Sequence, residues 1–401
     1  MKILHVVPSY LPAVRYGGPI ASVHGLCKAL VARGHEVEVF TTNVDGPGDS
    51  DVPLGIPVEL DGVKVWYFPV PMLRRLYWCP KMAAALRRRV DSLDVIHTHS
   101  VFLWPTWAAA RVARAYSVPY VLAPRGMLVA ELLRRKSRWF KSAWIELFER
   151  RNLAKAAVVH FTSQLEKDEA TKLGLNFNAT CVVPNGIEEE EICDESDKRD
   201  LPPGFPLQHQ RYLLFIGRIN WKKGLDRLIC ALPFVADCHL VIMGNDEEQY
   251  QPTLVALARQ KGVRERISFI GPIYGSDKRT ILAHAAALIL PSYSENFGNV
   301  VLESMAAGCP VVVTPEVGAA VLVLETGAGV VLDGSPEKLG RGIADLIADS
   351  ERSRTMGQRG RDAVAANYTW EAIARRMETV YQMALEEHVD ADQKARPEAH
   401  E

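Results

Sequence analysis

The sequence predicts an α/β protein made of two Rossmann-like, doubly wound parallel-sheet domains in tandem. Three observations lead there. Apolar runs of strand length alternate with helical patterns along nearly the whole chain. The runs are apolar at consecutive positions, as in parallel strands covered by helices on both faces. The alternation breaks once, at a polar and proline-rich stretch near the middle, and then resumes.

In the first half the strands are expected at Ile3–Val7, Glu36–Thr41, Val63–Phe68, Val95–His97, Tyr120–Leu122, Ala157–Phe161 and the short Val182–Val183. In the second half they are expected at Tyr212–Ile216, Cys238–Met243, Ile267–Ile270, Ala286–Leu290, Val311–Val313 and Gly329–Leu332. Leu201-Pro-Pro-Gly-Phe-Pro206 can continue neither a helix nor a central strand. The domains are therefore read as 1–187 and 211–368, with 188–210 as linker. The segment 369–388 has apolar residues at 370, 373, 377, 380, 381 and 384, the spacing of a closing helix. Residues 389–401 are read as a polar tail.

The bulk numbers exclude several classes. With 401 residues, 48% hydrophobic and 24% charged, the chain can fill two cores. No apolar run is long enough to span a membrane, and Met1–Pro8 reads as a first buried strand rather than a signal peptide. Seven cysteines, without a CxxC, argue against a disulfide framework or structural zinc and suit a reducing cytosol. The net charge of −1 conceals a basic first half and an acidic second half. No nucleic-acid-binding motif is present.

Five stretches carry candidate chemistry. Glu295-Asn-Phe-Gly-Asn-Val-Val-Leu-Glu303 follows a predicted strand and becomes helical. Glu295 then lies on the loop at the carboxyl edge of a parallel sheet and Glu303 about two turns into the helix. The N–H groups of Phe297, Gly298 and Asn299 form a cradle for phosphate. Arg218 and Lys223, in Gly217-Arg-Ile-Asn-Trp-Lys-Lys-Gly224, flank the same crevice and can neutralise a diphosphate leaving group. Gly17-Gly18 precedes a helix and lets backbone approach a ligand, although a glycine turn can equally be punctuation. His97 and His99 end a strand; His97 is expected inside the sheet, and His99, nearer the edge, is a candidate for touching sugar or phosphate. No third histidine or carboxylate stands at ligand spacing, so no metal is expected there. Arg125, in Ala123-Pro-Arg-Gly126, is placed to meet an anion.

Two further patterns have competing readings. In Leu132–Phe148 the tryptophans and leucines fall on one side of a helical wheel, with Arg134, Arg135, Arg138 and Lys141 on the other. That pattern fits a peripheral contact with anionic membrane through 131–152, or a core helix with a solvated basic face. Asp49-Ser-Asp51 has the form of a metal–diphosphate motif but sits in a Gly/Pro loop, which favours an ordinary exposed loop.

Taken together, Glu295…Glu303, Arg218 with Lys222-Lys223-Gly224, Pro184-Asn-Gly-Ile187 and Ser304-Met-Ala-Ala-Gly308-Cys-Pro310 resemble a family-4 retaining glycosyltransferase of GT-B architecture. The resemblance covers nearly the whole chain and is strongest in 180–333. It implies two lobes facing a cleft, with 369–388 returning to the first lobe. It also implies transfer of a sugar from a nucleotide-diphosphate sugar to a saccharide or lipid-linked acceptor, with anomeric configuration kept and without metal or other cofactor. Arg218 and Lys223 would hold the diphosphate, Glu303 the ribose, and Glu295 the donor sugar. The amides at 297–299 would join the phosphate site, with Gly17-Gly18 closing over it. The basic first lobe would take the acceptor, in surface polysaccharide or glycoconjugate synthesis at the cytoplasmic membrane face. Where many members of the family carry a histidine, this chain has Arg125, which cannot act as a base but can serve as an electrostatic contact. A sugar-nucleotide epimerase or hydrolase of the same shape, and a non-catalytic sugar-nucleotide-binding subunit, remain as alternatives.

Overall fold

The computed structural model describes residues 1–13, 18–129, 144–193, 200–207 and 210–395. The chain divides into two units. The first is Met1–Gly186 together with Trp370–Glu401, and the second is Ile187–Thr369.

The first unit has an eight-stranded sheet. Its strands are β1 (Lys2–Val6), β2 (Glu36–Thr42), β5 (Pro57–Leu60), β6 (Val63–Phe68), β7 (Val95–His99), β8 (Tyr120–Ala123), β9 (Val158–Phe161) and β10 (Thr180–Val182). They lie in the order β10-β9-β8-β7-β1-β2-β6-β5, and every pairing is parallel except β5 with β6. Strands β3 (Val44–Asp45) and β4 (Gly48–Asp49) make a separate small hairpin. It contains Asp49, whose carboxylate accepts from Arg74 Nη1 at 2.6 Å, an internal ion pair in the loop of the DxD-like sequence. Strand β5 gave no sequence signal because it is an edge strand with no fully buried residue, and it begins with a proline.

The helix Trp370–Ala395 completes this unit, so the closing helix belongs to the fold of the first domain although it ends the chain. The apolar positions of its sequence pattern are all buried: Trp370, Ile373, Met377, Val380, Tyr381 and Ala384. They pack with Val23, Leu26 and Leu30 of the helix Gly18–Ala32 and with strand residues of β1, β7 and β8. Outside the apolar stripe, Glu378 accepts from Arg33 through both carboxylate oxygens, at 2.7 and 2.8 Å, and from His35 at 2.7 Å. The Trp370 indole fills a slot where only glycine fits. A methyl group on Gly25 would stand 2.3 Å from the ring, and one on Gly186 would stand 2.8 Å from it. Gly25→Ala is accordingly expected to destabilise the first unit by about 1–3 kcal/mol, the usual cost of overpacking. Denaturant unfolding would show this as a lower midpoint with an unchanged slope; an unchanged midpoint would remove the slot from the account.

The second unit has a six-stranded, wholly parallel sheet. Its strands are β11 (Tyr212–Ile216), β12 (His239–Met243), β13 (Ile267–Ile270), β14 (Ala287–Leu290), β15 (Val311–Val313) and β16 (Gly329–Val331), in the order β13-β12-β11-β14-β15-β16. Central strands β11, β14 and β15 are buried almost throughout, which is why they read as unbroken apolar runs. The stretch expected as a linker, 188–210, is corrected here. Leu201, Phe205 and Leu207 belong to the core of the second unit, and Cys193 N donates to Ala306 O at 3.1 Å. The prolines do stop regular structure, but the apolar residues between them still find a core to join.

Candidate active site

Strand order reverses in the second unit between β11 and β14, where ligands of open α/β sheets bind at the strands' carboxyl ends. Lys223 comes from the turn after β11, and Glu295 from the loop after β14. The two loops are locked together. Tyr293 N donates to Lys222 O at 2.7 Å. Gly224 has φ +64°, and a β-carbon there would stand 1.9 Å from the Pro291 carbonyl oxygen, so only glycine permits this approach. The Glu295 loop is held on its other side as well. Glu295 N donates to Glu316 O at 3.1 Å, Gly318 N to Glu295 O at 2.9 Å, and Ala319 N to Phe297 O at 2.9 Å.

This scaffold brings the Lys223 ammonium into an ion pair with Glu295 Oε2, the two side chains 17% and 19% exposed. The helix Asn299–Ala306 begins beside it, with Gly298 in the left-handed region at φ +93° as its N-cap. The N–H groups of Phe297 and Gly298 have no acceptor among the described residues. The Phe297 ring is buried in the core, so its backbone rather than its side chain faces a ligand. A cation, a carboxylate and helix N-terminal amides therefore converge. Together they can hold a phosphate and a hydroxyl-bearing group side by side.

Two other expected members make no bond to this pair. Arg218 is exposed and makes no ion pair among the described residues. Glu303 is paired instead with Lys278 of the helix Gly275–His284, Nζ to Oε2 2.6 Å. Glu191 lies near them, its carboxyl raised above the usual range by burial and then by the charge of Glu303. Lys278 and Glu191 were not found from sequence, because no motif ties them to Glu303. A cavity of about 580 Å³ adjoins the same loops, lined by Asp226, Arg227, Tyr293, Glu316 and Asp333 among others. In its wall the Arg227 guanidinium lies 3.6 Å from the centre of the Tyr293 ring.

In the first unit the strand β7 runs to His99, two residues beyond its expected end, and this changes the reading of His99. The residue is buried, and both ring nitrogens are engaged: Nε2 with His5 Nδ1 at 3.0 Å, and Nδ1 with Arg125 Nε and Nη2 at 3.3 and 3.2 Å. Neither ring nitrogen is left to meet a ligand directly. Arg125 itself is half-buried, with backbone φ +55°, and its Nη1 donates to Asn185 Oδ1 at 3.0 Å. It makes no ion pair among the described residues, and the charge that acts on it most is that of Glu166, which itself accepts from the Gly126 amide.

The absence of a third histidine is also corrected. Parallel pairing of β1 with β7 sets His5 beside His97, and the ring nitrogens of His5, His97 and His99 come within 4.8 Å of one another. Three buried neutral imidazoles could ligate a metal ion, but a guanidinium donating to His99 opposes a second cation there. Gly17 lies outside the described residues; Gly18 opens the helix Gly18–Ala32. Most of the basic segment 131–152 also lies outside them. Of the described part, Trp144 donates to Glu149 at 3.0 Å, Phe148 packs on Trp144 and Trp107, and Leu147 is exposed. No described helix is long and apolar enough to cross a membrane.

A parallel-sheet scaffold with a helix N-terminus at its switch point is suited to a phosphate-bearing ligand, and comparison with known proteins gives the class. Residues 197–363 match the family described as glycosyl transferases group 1, and 17–186 match the glycosyl transferase 4-like domain. The chain belongs to the family-4 glycosyltransferases of GT-B fold. It is 29% identical to an uncharacterized glycosyltransferase of Methanocaldococcus jannaschii, over 96% of this chain and 99% of that one. It is 30% identical to a D-inositol 3-phosphate glycosyltransferase of Corynebacterium diphtheriae, over 91% and 89%. Among solved structures, Anabaena HepE in complex with UDP-glucose superposes with a TM-score of 0.75 at 20% identity, covering 95% of this chain and 99% of that one.

Proposed function

We propose that this glycosyltransferase takes its sugar from a nucleoside-diphosphate sugar held by the second unit and transfers it, with retention of anomeric configuration, to a saccharide or lipid-linked acceptor on the first. The observation that carries the reading is the Lys223–Glu295 pair beside the free amides of Phe297 and Gly298. An incoming diphosphate competes with Glu295 for the Lys223 ammonium. Once Lys223 turns to phosphate, Glu295 is released to accept hydrogen bonds from the donor sugar. Negative charge grows on the diphosphate as the glycosidic bond breaks, and Lys223, the exposed Arg218 and the helix amides meet it without a metal ion. The acceptor oxygen bonds to the anomeric carbon on the face the phosphate leaves, and the leaving phosphate oxygen takes its proton; same-face attack gives retention.

The solved complex of HepE with UDP-glucose supports a nucleotide-sugar donor. The relative named as a D-inositol 3-phosphate glycosyltransferase supports an acceptor that carries negative charge, which the Arg125 guanidinium, in no ion pair among the described residues, suits. Glycoconjugate or surface polysaccharide synthesis is the setting that such an acceptor suggests.

The test is product analysis. The protein is incubated with a panel of nucleotide-sugars, with and without phosphorylated and lipid-linked saccharide acceptors, and the new glycosidic linkage is read by NMR. Acceptor-dependent product with the donor's anomeric configuration is expected. Inversion would contradict the route. Turnover of the donor without acceptor would favour an epimerase or hydrolase, and no turnover with any donor would favour a binding subunit.

A further inference from the structure

Five buried polar side chains at the heart of the first unit form one continuous string. They are His99 and His97 on β7, His5 on β1, His160 on β9, and Tyr381 on the terminal helix. The ends of the string fix its direction. A guanidinium can only donate, so Arg125 requires a lone pair on His99 Nδ1. A backbone carbonyl can only accept, so Val183 O, 2.8 Å from His160 Nε2, requires a proton there.

Each intervening contact then has a single solution. His99 carries its proton on Nε2 and donates to His5 Nδ1 at 3.0 Å. His5 carries its proton on Nε2 and points it at Tyr381 Oη across a long 3.5 Å. The Tyr381 hydroxyl donates to His97 Nδ1 at 2.9 Å. His97 donates from Nε2 to His160 Nδ1 across 3.4 Å. Every histidine is thus a neutral Nε2–H tautomer, and no proton is left over or missing.

We propose that this one-way hydrogen-bond chain is a positioning device. It fixes the lone pair of His99 that aims Arg125, and Tyr381 is the link through which the terminal helix takes part. Burial holds all four histidines well below their ordinary range, as neutrality along the chain requires. The groups around the chain agree. Arg125 is a cation that disfavours a charged imidazole, Cys27 is buried and protonated, and Glu166 is already occupied by the Gly126 and Thr162 amides. The string also explains why a tyrosine stands at 381 in an otherwise apolar stripe. A phenylalanine would fill the space, but it would leave His97 Nδ1 without a donor and His5 Nε2–H without an acceptor. The functional consequence rests on Arg125 meeting an anionic acceptor; the tautomers do not.

The experiment is two-bond ¹H–¹⁵N correlation NMR of the histidine rings in the full chain, wild type and Tyr381→Phe. Wild type is expected to show four neutral Nε2–H tautomers. In Tyr381→Phe the tautomers are expected to hold, because His99 still donates to His5 Nδ1 and His160 Nδ1 still accepts from His97. The ¹⁵N signals of His97 Nδ1 and His5 Nε2 are expected to shift as each loses its partner, while the protein stays folded. A proton on His99 Nδ1 in the wild type, a charged ring among the four at neutral pH, or ¹⁵N signals of His97 Nδ1 and His5 Nε2 unmoved by Tyr381→Phe would each overturn the chain. So would added Zn²⁺ binding to the rings of His5, His97 and His99 together. With the donor and acceptor found by product analysis, Tyr381→Phe is expected to raise the acceptor KM about tenfold, the worth of one hydrogen bond, with kcat little changed. Those signal shifts with an unchanged acceptor KM would overturn the aiming role of the chain and leave the donor-site reading standing.

Discussion

Lys223→Ala lowers kcat for sugar transfer by about a hundred- to a thousandfold, the usual cost of removing one preorganised group from a developing anion. Three facts make this the largest expected effect on activity. Lys223 is the cation the fold holds against the Glu295 loop, through the Gly224 turn and the Tyr293–Lys222 hydrogen bond. Its ammonium is largely shielded from water, so its field on a neighbouring phosphate is weakly screened. Arg218, being exposed, cannot fully replace it. Glu295→Gln keeps the shape but removes the charge that holds the ammonium in place, and it is expected to lower kcat/KM on a similar scale. Because the two side chains form one pair, the double variant should be little worse than the poorer single one. Steady-state kinetics on variants with native circular dichroism checks this. Wild-type rates in both single variants would exclude the pair from catalysis.

Mild acid should weaken the first unit on the scale of a large core truncation. The four buried histidines are neutral in the native state, His5 and His160 lowered to about 3 and His97 and His99 also well below the ordinary value, in each case chiefly by burial. The unfolded chain binds a proton at each below about pH 6.5, whereas the native chain does not until far lower. The histidines' contribution is therefore intact above that value and is lost as pH falls below it. Each histidine gives up about 1.4 kcal/mol per pH unit, so four together cost about 5 kcal/mol between about pH 7 and pH 5.5. Glu149 and Glu166 act in the opposite sense. Burial raises both, so the native carboxyls take protons earlier than the unfolded ones and recover stability on acidification. Two such groups offset four histidines only in part. Hydrogen exchange at the amides of β1 and β7, measured across this range, should show protection falling with pH once the intrinsic rates are corrected. Flat protection would mean that the histidines are not held neutral.

What could be read from the sequence was whatever local pattern controls. Strands β11, β14 and β15 were legible because burial on both faces leaves a continuous apolar signature. The face of the terminal helix was legible because its apolar residues recur at helical spacing. Glu295, Lys223 and Gly224 stood out because a loop at a strand's carboxyl end needs those residue types in a short stretch. The remainder depends on long-range neighbours. His5, His97, His160 and Tyr381 become one string only when β1, β7 and β9 align and the end of the chain docks against them. Lys278 reaches Glu303 from a different helix. His99 was misjudged for a related reason: an extension of β7 by two residues carries it from the edge into the buried sheet.

The site itself is tested most directly by calorimetric titration of UDP, GDP and ADP into the wild type and Lys223→Ala. At least one nucleotide should bind the wild type, more weakly as salt rises, and should lose about tenfold or more in affinity in Lys223→Ala. Equal affinity of both proteins for the nucleotide that binds would contradict the assignment of the diphosphate to Lys223 and the loop of Glu295.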